Sequence, residues 1–444
     1  VVIRFFNMTE TRIPSWREAW LPLWLFALYA TYPVPHTVAL RNLLLAVGLA
    51  GLILAARPWR ESLAGLGSAV RWARPAAIML MLLTGWMLVQ SAFLSPFPDR
   101  ALPLLSGQWT MILLAVFLGL AAAYRQPRAT LQALTLALSA HIALLLLYQL
   151  YLAGFHDPAA GYTPATPFAE RDYHSLLNGS LFALLLGDRW ASMNRVAPPL
   201  GLPGRLVWTL LLSSLLADVF LRTRNGTLVT VALVGLAVVW LATNGQRQLR
   251  FLTIVAALVL VLVLGMSLRN DERWSGLVES VTLGVTSGSL YGLDATAPPP
   301  ATPSGQPLEE SAYDRAVWAT QAVEAIVRHP LGLGFGHQAF GWAVELKYGL
   351  KGMESSHSGW LDFALANGLP GLALWLAMSG WLMLAGWRRF RNLGDGNGLL
   401  LVLTVFAYLL RCLIDGHLSG WRLAMYALLV GAIIGASGRQ REPA

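Results

Sequence analysis

Residues 131–153 read LQALTLALSAHIALLLLYQLYLA, a run without a single Lys, Arg, Asp or Glu. At ~1.5 Å of rise per residue, a helix of this length crosses the ~30 Å hydrocarbon core of a bilayer. Working outward, blocks of the same kind occupy 18–33, 39–56, 76–94, 108–124, 174–188, 203–220, 227–243 and 249–267, and then 358–387, 398–413 and 422–438. They predict an all-α integral membrane protein with about twelve transmembrane helices. Few blocks alternate apolar with polar positions, so a β-barrel is not expected, and helices leave no backbone group unpaired in lipid. Composition agrees: 56% of the 444 residues are hydrophobic and 12% charged, against about 25% charged in a soluble domain.

The net charge of +9 does not imply nucleic acid, because the arginines are scattered between apolar blocks and form no basic stripe. They serve better as topology signals. With both termini cytoplasmic, every inside connection is basic, from Arg12 and Arg17 through Arg125 and Arg128 to Arg439 and Arg441. The outer loops are poorer: Arg100 stands beside Asp99, and Arg171 between Glu170 and Asp172. Cys412 is the only cysteine and lies in an apolar block, so neither a disulfide framework nor a thiolate metal site is expected within one chain. No short apolar core with a cleavage site opens the sequence, so the first block is expected to remain as an anchor.

Three parts follow: a membrane bundle over 1–267, a large outer loop over 268–356, and a helical membrane segment over 357–444. Within the loop, Ala295 to Pro307 is a Pro/Ala/Thr/Ser run that cannot bury a core and is expected to be mobile. From Ser311 to Arg328 the pattern is amphipathic, with Ala316, Ala319, Val323, Ile326 and Val327 on one face, until Pro330 stops the helix.

The residues able to carry chemistry gather at the outer side. Arg222 and Arg224 sit in Leu221-Arg222-Thr223-Arg224-Asn225-Gly226, a short outer connection where positive charge runs against the topology rule. Both are able to snorkel to headgroups; beside Asn225 and Gly226, Arg224 also suits a phosphate, which a guanidinium binds bidentately. Arg315 begins the amphipathic helix, with Trp318 one turn on, and is open to either a surface ion pair or an anion. Gly332, Gly334 and Gly336 lead to His337; the alternating glycines read first as a turn that allows close backbone packing. His357 opens a span in Glu354-Ser355-Ser356-His357, where nearby arginines would keep the ring neutral and basic, with Glu354 or Asp362 available to orient it. Arg171 and His174 are candidates to line the same outer cavity. Arg411 and Asp415, spaced i, i+4, are expected to pair, and His141 is expected to be a hydrogen-bonded bundle residue. No outer Asp-x-Asp pair, Cys/His cluster or Walker-type loop occurs, so a metal-dependent transferase and a nucleotide are disfavoured.

At these residues the sequence resembles the O-antigen ligase and polymerase superfamily of bacterial envelope enzymes. His357-Ser358, nine residues and then Gly368-Leu369-Pro370-Gly371 fit the ligase pattern of His, Asn/Ser/Gln, nine residues, Gly, two residues, and Gly, Thr or Tyr. Thr223-Arg224-Asn225-Gly226 resembles the superfamily's Ser-Arg-Gly-like turn, with threonine in place of serine, and Arg315 precedes the Pro330-Leu331-Gly332-Leu333-Gly334 run. The motifs cover residues 200–390.

The resemblance implies a GT-C-like glycosyltransferase of the inner membrane, with its active site facing the periplasm and no cofactor. It implies transfer of O-antigen from undecaprenyl diphosphate to a sugar hydroxyl of lipid A core, without metal or nucleotide. Arg224 and Arg315 would hold the diphosphate and His357 would deprotonate the acceptor; Arg222, Arg171, His174, His337, Trp318 and Glu354 would contact substrate. An O-antigen polymerase, a protein O-oligosaccharyltransferase and a lipid-linked glycan flippase are the alternatives.

Overall fold

The computed structural model describes residues 16–55, 65–68, 70–155, 166–221, 223–243, 276–286, 291–294, 297–305 and 307–438, with isolated positions over 254–265. Arg222, most of the expected span at 249–267, and Arg12, Arg57, Arg60, Arg247, Arg250, Arg439 and Arg441 lie outside the described residues. The described helices are α1 (Trp16–Thr31), α2 (Val38–Ala55), α3 (Arg74–Val89), α4 (Pro98–Leu104), α5 (Thr110–Arg125), α6 (Pro127–Phe155), α7 (Arg171–Met193), α8 (Gly204–Leu221) and α9 (Arg224–Thr243). The loop region contributes α10 (Leu277–Thr286), α11 (Glu310–Arg328) and α12 (Ala339–Tyr348), followed by α13 (Gly359–Leu393), α14 (Gly396–Ile414) and α15 (Gly420–Ser437).

Seven helical stretches among the described residues are long and apolar enough to cross a membrane: Arg71–Leu94, Pro98–Arg125, Pro127–Tyr151, Gly204–Leu221, Gly359–Leu393, Gly396–Ile414 and Gly420–Ser437. The blocks expected at 18–33, 39–56 and 227–243 form the shorter apolar helices Ala19–Thr31, Val38–Leu54 and Arg224–Trp240. The protein is thus a helical, multi-pass membrane protein. The block at 174–188 becomes α7, which is enclosed by α6, α8, α9 and α14 and buries His174, Ser175, Asn178 and Asp188. Those polar groups are why its apolarity falls short of a lipid-facing span.

With little hydrophobic drive between helices in lipid, close backbone approach decides which pairs form. Gly431 and Gly435 of α15, four residues apart, meet Val116 and Leu120 of α5, while Gly119 of α5 meets Leu428 and Ala432 of α15. A Cβ on Gly119 would lie 2.9 Å from the Ala432 nitrogen. The longest helix, α13, is broken at Gly368, whose φ of 70° and ψ of 175° are not helical. The break frees the Leu365 and Ala366 carbonyls, and a bare carbonyl at membrane depth costs several kcal/mol. The Gly-rich run fills the gap: Leu333 N–H donates to Leu365 O at 2.7 Å, Gly334 N–H to Ala366 O at 3.0 Å, and Leu369 N–H to Pro330 O at 2.8 Å. A Cβ on Gly332 would collide with the Ala366, Asn367 and Gly368 backbone. On the other side, a π turn at Gln90–Leu94 presents Ser91 and Ser95 to the same run; Ser91 Oγ accepts from Phe335 N–H and Ser95 Oγ donates to Leu333 O.

The loop region carries its own small core of Tyr313, Val317, Ile326, Leu333, Phe340 and Trp342. One expectation is corrected here. The buried face of α11 is Ala312, Tyr313, Ala316, Val317, Ala322 and Ile326, whereas Val323 and Val327 remain 51% and 74% exposed. Tyr313 and Val317 are larger than the alanines of the expected face, so docking against α10 and α13 rotates the helix toward them.

Candidate active site

Where the loop region meets the bundle there is a cavity of about 700 Å³. Its walls come from the start of α7, from α11, from the Phe335–His337 and Gly352–His357 segments, from the first turns of α13, and from the α14–α15 connection. Trp318, His337, Glu354 and His357 line it, so four sequence candidates converge there.

His357 has φ 57°, a left-handed conformation disfavoured for any residue with a Cβ. The turn is held by its neighbours. Asp362 Oδ1 accepts from Ser356 N–H at 2.8 Å, His357 N–H donates to Ser355 Oγ at 3.2 Å, and Ser358 Oγ donates to Leu413 O at 2.9 Å. Asp362 therefore shapes the loop and does not orient the imidazole. The ring stacks on Trp318, centroids 4.9 Å apart and planes 21° off parallel, and hydrogen-bonds to none of the described residues. Trp318 is itself fixed by its Nε1–H donating to Gly292 O at 2.6 Å. Desolvation in the cavity, followed by the charge of Arg315, pushes the His357 pKa below its ordinary value. The ring is accordingly neutral at pH 7, with its nitrogens available. His337 is lowered too, by burial first and by Arg422 as well, while Glu354 opposes the shift.

The two family-pattern arginines are placed differently. Arg315 lies one turn before Trp318 and has no carboxylate within ion-pair distance among the described residues. Neither arginine is in the cavity wall, where Trp318 is the one α11 residue among those described, and Arg224 Nη2 donates to Glu309 Oε1 at 2.6 Å. Glu309 also caps α11 by accepting from Ala312 N–H at 2.7 Å, so Arg224 ties α9 to the helix that carries Arg315 and Trp318. Beside it, Thr223 Oγ1 shares a hydrogen bond with Ser175 at 2.8 Å, and a Cβ on Gly226 would strike both hydroxyls. That turn is built for contact with α7.

Arg171 and His174 are likewise absent from the wall. Arg171 lies 3.8 Å from Asp172, and His174 is buried with its Nε2 2.9 Å from Thr166 Oγ1 and its ring 6.2 Å from that of His141. Arg171 and His174, three apart, share one face of α7, and the positions between them, Asp172 and Tyr173, line the cavity instead. His141 is held by the Ala30 carbonyl at 2.7 Å.

Several residues that line the site have no role expected from the sequence, namely Gln108, Tyr173, Asn367, His417, Trp421 and Arg422, and Asp415 is expected only as the partner of Arg411. One signal pointed to Arg422, a cation at the outer end of a span, as unusual there as Arg224. Beneath the wall runs a buried polar layer. Arg411 pairs with Asp415 at 2.7 Å, donates to Ser175 Oγ at 2.8 Å and to His417 Nε2 at 3.2 Å, and Tyr408 Oη donates to His417 O at 2.5 Å. Burial alone would raise the Asp415 carboxyl, but Arg411 and His417 outweigh it and hold it well below the usual range. Burial lowers the His417 pKa to about 4. Among the described residues no cluster of three His, Cys, Asp or Glu side chains is arranged to hold a metal ion.

No curated protein matches the chain. Residues 209–376 match the family model described as O-Antigen ligase, a stretch that runs from α8 through Arg224, Arg315, the Gly-rich run and His357 to just past the Gly368 break. Over that stretch the chain is similar to the O-antigen ligase family.

Proposed function

We propose that the protein transfers an undecaprenyl diphosphate-linked O-antigen glycan to a sugar hydroxyl of lipid A core, at the periplasmic face of the inner membrane. The observation that carries this reading is the conformation of His357: a basic imidazole in a left-handed turn, stacked at the cavity on Trp318, which stands one helical turn from an Arg315 that pairs with no carboxylate among the described residues. Diphosphate is already a good leaving group, so the reaction needs cations for its developing charge and a base for the acceptor. The acceptor O–H gives its proton to an imidazole nitrogen of His357. The oxygen forms a bond to the anomeric carbon as the carbon–oxygen bond to diphosphate breaks, and the departing electron pair rests on diphosphate beside Arg315. In-line attack inverts the anomeric centre. Arg224 contributes through Glu309, by holding α11 in register.

The arginines of the opposite end support the orientation. Arg71, Arg74, Arg125, Arg128, Arg189, Arg195, Arg205, Arg388 and Arg389 all lie at helix ends away from the cavity, as a cytoplasmic face requires. Both termini would then be cytoplasmic. Purified protein in nanodiscs, given lipid-linked O-antigen and either lipid A core or a second lipid-linked glycan, tests the reading. Extension of the lipid A core is expected; extension of the second glycan alone would make it a polymerase. His357→Asn tolerates the left-handed turn and should lower transfer by roughly 10²–10⁴-fold. Normal transfer by that variant would remove His357 from the mechanism.

A further inference from the structure

Arg422 is the cation the proposed mechanism leaves unused. It lines the cavity on the α14–α15 side, outside the stretch matched by the family model. Its Nη1 donates to Gly416 O at 3.0 Å and its Nη2 to Tyr173 Oη at 3.3 Å, while its buried Nε has no partner among the described residues. The guanidinium sits 4.9 Å from the Tyr173 ring and 5.8 Å from the Trp421 ring, and those two rings meet edge to face at 4.9 Å. A second arginine approaches Trp421: Arg41 of α2, buried, with its guanidinium 5.7 Å from the ring, Nη1 on Tyr32 O at 2.9 Å and Nε again without a partner among the described residues.

Neither arginine has a carboxylate within ion-pair distance among the described residues. Acidic groups are close at hand: Glu170, Asp172, Glu354, Asp362 and Asp415 share the cavity wall. Asp415 is taken by Arg411, Asp172 lies against Arg171, and Asp362 accepts from the Ser356 N–H. Glu170 and Glu354 remain, and neither comes within ion-pair distance of Arg422. A partly buried guanidinium that keeps an unused donor and has no carboxylate in reach is poised for an anion from outside, since a charged group taken from water needs a counter-charge. The aromatic pair fixes the plane of the fork and leaves a face suited to a sugar ring.

We propose that Arg422, backed by Arg41 and framed by Tyr173 and Trp421, is a second anion site that binds a phosphate group on the acceptor side of the cavity. The phosphate is carried either by a phosphorylated acceptor saccharide or by a lipid headgroup. Describing this side as the acceptor's rests on the function proposed above; the phosphate site itself does not.

The test is direct binding, without donor or turnover. The full chain in phosphatidylcholine nanodiscs is titrated calorimetrically with glucose 6-phosphate and with glucose. The phosphorylated sugar should bind roughly tenfold tighter, the scale of a hydrogen bond to a charged group. That preference should disappear in Arg422→Gln, survive largely in Arg422→Lys, and survive in Arg315→Gln. Equal binding of the two sugars by the unaltered protein overturns the proposal whatever the variants do, and so does a preference that persists in Arg422→Gln or is lost in Arg315→Gln. Repeating the titration in phosphatidylglycerol nanodiscs separates the sources: competition by the anionic lipid identifies a headgroup, and an unchanged preference identifies a saccharide. Failure of glycan transfer with the preference intact would refute the function and leave the site standing.

Discussion

Two neighbouring layers of this molecule use the same residue types to opposite ends. In the buried layer, Arg411, Asp415, His417, Ser175 and Thr223 are linked to one another: Arg411 pairs with Asp415 and bonds to His417 and Ser175, and the hydroxyls bridge between helices. At the cavity wall, His337, His357 and Arg422, with Arg315 one turn from the wall residue Trp318, pair with no carboxylate among the described residues; His357 stacks on Trp318 and Arg422 donates to the Gly416 carbonyl. The difference teaches that an arginine near this membrane surface is not informative by itself. A guanidinium whose neighbours complete it is structural, and one held by neighbours that cannot neutralise it is available to a ligand.

The largest effect should come from breaking the closed layer. Arg411→Met leaves Asp415 buried without its partner and should cost about 3–5 kcal/mol, seen as a lower Tm in thermal unfolding; an unchanged Tm would show that the layer is not structural. Acid should strain the same layer. His417 has a folded pKa of about 4 against an ordinary value near ~6.5, so the unfolded chain binds its proton first. Its contribution, on the order of 3 kcal/mol, is intact above about pH 6.5 and is lost as pH falls toward 4; His417→Gln should flatten that part of the Tm profile.

The open layer should answer in kinetics. Arg315→Gln removes no ion pair, so Tm should hold while the KM for lipid-linked donor rises roughly tenfold or more. The acid limb of the activity profile should also move upward toward the ordinary imidazole value, and only partly, because desolvation is the larger cause of the His357 shift. The smallest effect concerns Arg224. If it acts through Glu309, then Arg224→Gln and Glu309→Gln should each cost about 1 kcal/mol in transfer, and the double variant little more than either alone. Additive losses, with the donor KM raised only by the arginine change, would instead put Arg224 on the diphosphate.

The legibility of the site followed the same division. His357 stood out because an ionisable residue at the mouth of an apolar helix is rare, and the spacing from it to Gly368 and Gly371 was visible in the sequence. What Gly368 does was not visible: it breaks α13 so that a run more than thirty residues upstream can complete the helix's open carbonyls. Arg224 looked like Arg315 in sequence, since Glu309, which separates their roles, is 85 residues away. Arg171 and His174 have the chemistry of outer-cavity residues, but the rotation of α7 turns Asp172 and Tyr173 to the cavity instead.

By itself, then, the sequence determined that the chain is a bundle of membrane helices with a large polar insertion late in its course, because run length and the need to pair every backbone group in lipid leave no other solution. It also fixed which residue types could act, since charges are few and each is conspicuous. Only the tertiary structure decided which arginines are spent on carboxylates and which remain open, because pairing is settled by contacts between helices distant in the chain. The run 131–153 crosses the bilayer on its composition alone; what His357, Arg315 and Arg422 can do depends on the walls folded around them.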